Sequence, residues 1–137
     1  MFMTGHTMVR ILLIDSDPDC LTALAQRLSF AFRHLSLDVD KADSACSALL
    51  LARERPYDLM IVDEAMREAV RGTLLEQLRA LHPDAPVILT SGCEIKDYEA
   101  LAEDLKILAH IPKPIDFPAL CGMIETSLPH SRPHLRH

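Results

Sequence analysis

Two carboxylates, a hydroxyl and an ammonium group each follow a run of apolar residues in this sequence. Short, uninterrupted apolar runs are typical of the strands of a parallel sheet that helices cover on both faces. The carboxyl ends of such strands lie along one edge of the sheet, where α/β proteins bind their ligands. We therefore expect the four groups to meet at that edge. With the mainly apolar run that precedes each, they are Asp15 (residues 9–14), Asp63 (59–62), Thr90 (87–89) and Lys113 (107–111).

These four side chains are suited to phosphoryl transfer. Clustered carboxylates repel each other, and a hard divalent cation such as Mg²⁺, which prefers oxygen ligands, would hold Asp15 and Asp63 together. A carboxylate beside such a cation can attack phosphorus and form an acyl phosphate. Thr90 and Lys113 would then donate hydrogen bonds to the phosphoryl oxygens. We predict that Asp63 is the reactive group and that its phosphorylation acts as a switch by adding negative charge.

The spacing of apolar residues predicts five strands that alternate with helices. We expect strands at residues 9–14, 35–39, 59–62, 87–89 and 107–111, and a polar loop from Asp63 to Gly72. The connections are too long for hairpins, which predicts right-handed crossovers and a flavodoxin-like, doubly wound (βα)5 fold of the α/β class. Its common strand order is 2-1-3-4-5, which makes strands one and three neighbours and brings Asp15 beside Asp63.

Length and composition indicate one globular domain. The chain has 137 residues, of which 49% are hydrophobic and 25% are charged, and its net charge of −6 argues against nucleic-acid binding. No apolar run approaches the roughly 20 residues needed to span a membrane. The four cysteines are widely spaced without a C-x-x-C pair, which predicts a reduced, cytoplasmic setting. We expect a domain at residues 9–128 between a flexible arm (1–8) and a mobile tail (129–137).

Four segments resemble the receiver domain of bacterial two-component response regulators. They are ILLIDSDP (11–18), YDLMIVD (57–63), PVILTSG (86–92) and IPKP (111–114), and the resemblance extends over about residues 9–128. It implies that Asp63 accepts a phosphoryl group and that Mg²⁺ is bound by Asp15, Asp63 and the backbone carbonyl of Ala65. It also implies that Thr90 senses the phosphoryl group, that Lys113 binds it, and that the Lys113–Pro114 peptide bond is cis.

The resemblance also implies partners. A histidine kinase or a phosphotransfer protein would phosphorylate Asp63, and a downstream protein would bind the last two helices and strand five. The expected role is a stand-alone signalling relay or adaptor, without turnover of an external substrate and with a homodimer allowed. We expect neither nucleic acid nor a membrane as a partner of this chain.

The sequence departs from the receiver pattern at several positions. Ser16 stands where a second acidic residue usually binds the metal, and the loss of that charged contact would weaken Mg²⁺ binding by about ten- to a hundredfold. Arg67 and Glu68 occupy positions where proline and glycine are usual. His110 stands at the position of the switch aromatic residue, where an imidazole would add sensitivity to pH.

Two other functions are compatible with parts of this pattern. Ser16 and the altered loop favour a pseudo-receiver, which keeps the fold but binds partners without phosphorylation. The Asp15-Ser16-Asp17 segment also fits the D-x-D motif of haloacid dehalogenase-like phosphatases, with Asp15 as nucleophile. That second alternative requires a further acidic pair after the lysine, and the sequence offers only Asp116 and Glu125 there, while Asp63 would have no role.

Overall fold

The apolar runs of the sequence form one five-stranded parallel sheet, seen in a computed structural model that describes residues 8–69 and 73–128. The strand order is β2-β1-β3-β4-β5, as predicted. The strands are β1 (Val9–Ile14), β2 (Leu37–Ala42), β3 (Leu59–Asp63), β4 (Val87–Ser91) and β5 (Ile107–Pro112). The helices are α1 (Pro18–Ala31), α2 (Ala45–Glu54), α3 (Glu64–Ala69), α4 (Thr73–Leu81), α5 (Tyr98–Leu105) and α6 (Phe117–Ser127).

Alternation along the strands divides the core into two layers. One layer, which we call the α1/α6 face, contains Leu13, Ile61, Ile88 and Ile111 from the sheet, together with buried side chains of α1 and α6. The opposite layer, the α2/α5 face, contains the neighbouring strand residues and side chains of helices α2 to α5. Both faces of the sheet are therefore covered, which explains why the central strands are apolar throughout.

Helix starts follow the capping signals of the sequence. Asp17 is the N-cap of α1, because its Oδ1 accepts hydrogen bonds from the amides of Asp19 and Cys20 at 3.0 and 3.5 Å. Pro18 occupies the first turn, where its missing N–H costs nothing. Ser44 caps α2 through a 3.1 Å hydrogen bond from the Ser47 amide. Each cap directs the chain from a strand end into the helix that covers the sheet.

Two predicted boundaries are wrong. The second strand spans Leu37–Ala42 rather than residues 35–39. It begins later because the Leu35 amide is bonded to the Phe32 carbonyl at 2.9 Å and still belongs to the turn after α1. The predicted polar loop after Asp63 begins instead with helix α3. Its residues are mostly good helix formers, and Met66 is buried in the core. Gly72, like residues 1–7 of the predicted arm and the predicted tail 129–137, lies outside the described residues.

The outer strand β2 is covered by ion pairs. Arg10 Nη1 lies 2.7 Å from Asp38 Oδ2, and Arg55 Nη1 lies 3.1 Å from Asp40 Oδ2. The Tyr57 hydroxyl also donates to Asp40 at 2.7 Å. Burial, followed by this hydrogen bond, raises the pKa of Tyr57 far above its usual range. Charged side chains on an outer strand discourage another strand from pairing with it.

The helices of this domain are short. Within residues 8–69 and 73–128, every helix is too short to cross a bilayer, the longest having 14 residues.

Candidate functional site

Strand alternation brings the four predicted site residues to the same side of the sheet. Side chains two residues apart in a strand point to the same face. Each site residue comes two positions after a buried residue of the α1/α6 face, at the carboxyl end of its strand. The pairs are Leu13 and Asp15, Ile61 and Asp63, Ile88 and Thr90, and Ile111 and Lys113.

Lys113 bridges the two aspartates. Its Nζ lies 2.7 Å from Asp15 Oδ2 and 3.3 Å from Asp63 Oδ2, and all three side chains are at most a quarter exposed. Burial alone would lower the pKa of the Lys113 ammonium, but the hydrogen bond and charge of Asp15, joined by those of Asp63, outweigh it and raise that pKa. The lysine is therefore fully charged at neutral pH, and its charge offsets part of the repulsion between the carboxylates.

Backbone amides bind the remaining carboxylate oxygens. Asp15 Oδ1 accepts a 2.9 Å hydrogen bond from the Asp17 amide, and Asp63 Oδ1 accepts a 3.2 Å hydrogen bond from the Ala65 amide. Each aspartate thus has one oxygen on the lysine and the other on an amide two residues further along the chain. These contacts fix the orientation of both carboxylates.

The end of β4 holds both Thr90 and the lysine segment. Thr90 is the parallel neighbour of Asp63 and only 3% exposed, so its side chain lies at the buried end of the site. The Lys113 amide donates a 2.7 Å hydrogen bond to the Ser91 carbonyl, and the Lys113–Pro114 peptide bond is cis, as the resemblance predicted. The turn after β5 is thereby attached to the strand that carries Thr90.

His110 lies away from this cluster, on the α2/α5 face. Its ring packs against Tyr98 of α5, with the ring centroids 5.5 Å apart. Its Nε2 is buried, and within the described parts of the chain no hydrogen-bond partner reaches it. The structure therefore unites Asp15, Asp63, Thr90 and Lys113 at one end of the sheet, whereas His110 is packed under α5.

The residues at the site offer few ligands for a metal ion. Ser16 is exposed, and the Asp17 carboxylate is already the cap of α1. Nowhere in residues 8–69 and 73–128 do three His, Cys, Asp or Glu side chains lie close enough together to hold a metal ion. Mg²⁺ is often bound by only one or two carboxylates and several waters. The Asp15 and Asp63 carboxylates therefore fit Mg²⁺ as a minimal pair of protein ligands.

Sequence reasoning missed the groove that opens beside Lys113. This groove, which we call the α1 groove, has a volume of about 560 Å³ and runs between α1 and residues 113–117. The Arg27 guanidinium lies 4.1 Å from the centre of the Phe117 ring and joins the two walls by a cation–π contact. Cys20 lies at the site end, where burial and then the charge of Asp15 raise the pKa of its thiol. Nothing in the helical spacing of α1 signals this groove, because Phe117 comes from the far end of the chain.

Comparison with known proteins agrees with this geometry. Residues 11–125 match the response regulator receiver domain family. The chain is 32% identical over 128 residues to the transcriptional regulatory protein ZraR of Escherichia coli O157:H7, covering 92% of this chain and 28% of ZraR. It is 27% identical over 135 residues to a probable cyclic di-GMP phosphodiesterase of Vibrio cholerae, covering 96% of this chain and 29% of that protein. The chain thus spans less than a third of the length of these curated relatives.

A solved structure shows the same fold. The CheY-like response regulator receiver domain protein of Methanospirillum hungatei JF-1 superposes with a TM-score of 0.80 at 23% identity, covering 93% of this chain and 99% of that one. The family match, the sheet order and the ZraR similarity all point in one direction. This chain belongs to the response regulator receiver domains of two-component systems.

Proposed function

We propose that this chain is a phospho-accepting receiver that is phosphorylated on Asp63 and acts as a signalling relay or adaptor. The observation that carries the proposal is the contact of Lys113 with both Asp15 and Asp63. A charged lysine that touches the reactive carboxylate is placed to bind the phosphoryl oxygens that arrive there. The phosphatase alternative needs an acidic pair after the lysine, but Asp116, one of the two candidates, is the N-cap of α6.

The proposed reaction transfers a phosphoryl group from a phosphohistidine to Asp63. A carboxylate oxygen of Asp63 attacks phosphorus, the bond between phosphorus and the imidazole nitrogen breaks, and the histidine leaves with the bonding electron pair. Lys113 donates to the phosphoryl oxygens, and the Thr90 hydroxyl is the sensing group on the next strand. No external substrate is turned over, in keeping with the signalling role that is general among receiver domains.

Mg²⁺ belongs to the proposal as a weakly bound cofactor. Asp15, Asp63 and the Ala65 carbonyl would hold it, and when bound it supplies positive charge against the phosphoryl oxygens. Lys113 already occupies one oxygen of each aspartate, and Ser16 brings no negative charge. Fewer anionic ligands mean lower affinity for the cation.

The phosphodonor is a histidine kinase or a phosphotransfer protein, and we assign it to the α1 groove. This groove ends at Lys113, so a partner seated in it could present a phosphohistidine to Asp63. The groove is lined by the exposed Ala23, the half-buried Leu24 and the aliphatic and aromatic side chains of residues 115 and 117, which suits the apolar side of a partner helix.

We assign the output to the β5 border of the sheet, formed by β5 and the last two helices, α5 and α6. Leu108 on the outer strand β5 is 49% exposed and gives this surface an apolar centre. A downstream protein or a second copy of the chain would bind there. A cytoplasmic location completes the proposal, because the four cysteines are free thiols, as is usual in reducing compartments.

Treatment with acetyl phosphate and Mg²⁺ should add one phosphate to the chain, because Asp63 and Lys113 form the reactive pair. Intact-protein mass spectrometry would detect the adduct. Asp63→Asn should abolish it, whereas Asp58→Asn, at the residue just before the same strand, should leave it in place. If the unmodified chain gives no adduct even at high Mg²⁺, the phosphorylation proposal is wrong and the pseudo-receiver alternative takes its place.

Ser16→Asp should strengthen Mg²⁺ binding by about ten- to a hundredfold, because it restores a charged ligand beside Asp15. Titration of the backbone amides by NMR would give the affinity. Ser29→Asp, an exposed position further along α1, adds the same charge away from the site and serves as the control. Equal affinities in Ser16→Asp and the parent chain would contradict the proposed metal ligands.

Ala23→Arg should slow phosphorylation by a phosphorylated phosphotransfer protein, because the longer side chain fills the α1 groove. We expect a decrease of about tenfold or more, typical of a disrupted interface centre. Phosphorylation by acetyl phosphate, which needs no docking, should keep its rate. Ala80→Arg makes the same change on an exposed position of α4, across the sheet, and should alter neither rate. Slowing of both reactions by Ala23→Arg would refute the docking assignment.

Leu108→Lys should weaken self-association of the beryllofluoride-treated chain by about tenfold or more, because it charges the centre of the output surface. Light scattering across a concentration series would measure the dimer. Leu50→Lys, at a leucine of α2 that is 54% exposed, is the matched control. A chain that remains monomeric with beryllofluoride, or a dimer that Leu108→Lys does not affect, would exclude a dimer through this surface.

A further inference from the structure

Arg79, on α4, binds backbone carbonyls from two separate segments. Its Nη1 donates to the carbonyls of His82, Pro83 and Ala85 at 3.0, 3.1 and 2.6 Å, all in the turn between α4 and β4. Its Nε and Nη2 donate to the carbonyls of Leu105 and Lys106 at 2.9 and 3.1 Å. Burial lowers the pKa of this guanidinium from its usual value. The side chain thus joins the end of α4 to the end of α5.

Two of these carbonyls, those of Leu105 and Lys106, lie at the carboxyl end of α5. The last carbonyls of a helix have no partner within the helix, and a cation placed there satisfies them and interacts favourably with the helix dipole. Lys106, with φ of 56°, ends the helix in a left-handed conformation, and its amide is bonded to the Ala102 carbonyl. The carboxyl end of α5 and the start of β5 are therefore attached to the body of the domain.

At the amino end of α5 the described residues show no hydrogen-bonded attachment of this kind, and the segment before the helix is held by packing, through the buried Ile95. Asp97 stands at the N-cap with φ of 55°, and its side chain makes no capping hydrogen bond. No residue of α5 is fully buried; Tyr98, Leu101, Ala102 and Leu105 are only partly buried against the α2/α5 face. The carboxyl end of α5 is therefore attached to the domain by the hydrogen bonds of Arg79, whereas its amino end and its length are held by packing.

We propose that Arg79 is the fixed pivot of α5. The carboxyl end of the helix stays in place, and local opening and movement of the helix begin at its amino end. That end follows the β4 segment that carries Thr90, and it also carries Tyr98, the residue that packs on His110. This inference goes beyond the proposed function and does not depend on phosphorylation of Asp63.

Native-state hydrogen exchange measured by NMR tests the pivot. Two amides with defined helical partners report the two ends of α5, namely Leu101, bonded to the Asp97 carbonyl, and Lys106, bonded to the Ala102 carbonyl. In the unmodified chain, after correction for intrinsic rates, Lys106 should exchange more slowly than Leu101. If the carboxyl end of α5 were unattached, it would fray and the Lys106 amide would exchange fast.

Arg79→Met keeps a long apolar side chain but removes all five donated hydrogen bonds. It should speed exchange of the Lys106 amide by about tenfold or more and reverse the order of the two amides, because hydrogen bonds from a charged group are lost. Arg79→Lys, which keeps the charge without the planar set of donors, should give an intermediate rate. Arg53→Met, at an exposed arginine in the last turn of α2, is the matched control and should leave both rates unchanged.

Three results would overturn the proposal. The first is faster exchange at Lys106 than at Leu101 in the unmodified chain. The second is an unchanged order in Arg79→Met. The third is an equal acceleration of α5 and of buried amides in α1, such as Leu28, because that pattern would mean that Arg79 stabilises the whole domain rather than one end of α5.

Discussion

Lys113 connects the ends of four neighbouring strands, and the arrangement of the site depends on it. Its backbone amide is bonded to the end of β4, while its ammonium group reaches the residue after β1 and the last residue of β3. Without this cation, two aspartates at the edge of the sheet would repel each other in a largely buried setting. The lysine is thus a structural counter-ion at rest and is the group that an incoming phosphoryl anion would meet.

This double role imposes a competition. A cation bound between Asp15 and Asp63 must share their oxygens with Lys113, and the site supplies no third carboxylate from Ser16 or Asp17. Asp17 is engaged at the start of α1, where its oxygen accepts two amide hydrogen bonds. In the proposed function, the balance between the internal ion pair and a bound metal ion therefore sets how readily Asp63 reacts.

The sequence was sufficient to predict that these four residues converge, because strand periodicity can be read locally and the strand order is the common one of a five-stranded doubly wound sheet. The carboxylates, the hydroxyl and the lysine stand at equivalent positions at the ends of their apolar runs. In a parallel sheet these ends lie along one edge, so the four groups must converge. Other features could not be read in this way. The short helix α3 was hidden by its polar composition, and the start of β2 was displaced by a turn hydrogen bond at Leu35.

The role of Arg79 was equally hidden. On an amphipathic helix an arginine is normally a solvated surface charge, and two of its five carbonyl partners, those of Leu105 and Lys106, come from a segment that only the tertiary structure brings close. The same limit applied to His110. Its position in the sequence suggested a switch residue, whereas its neighbour Tyr98 and its buried, unbonded nitrogen within the described chain emerge only when α5 is laid over the sheet.

The two borders of the sheet differ in a way that governs how copies of the chain could assemble. β2 carries the pairs Arg10–Asp38 and Arg55–Asp40, whereas β5 presents the uncharged Leu108. Two copies that meet through β5 about a two-fold axis would both turn their charged β2 borders outward. Such a contact is closed, because each copy uses the same surface and offers no second apolar border for further growth. The asymmetry of the sheet therefore permits pairs and opposes extended filaments.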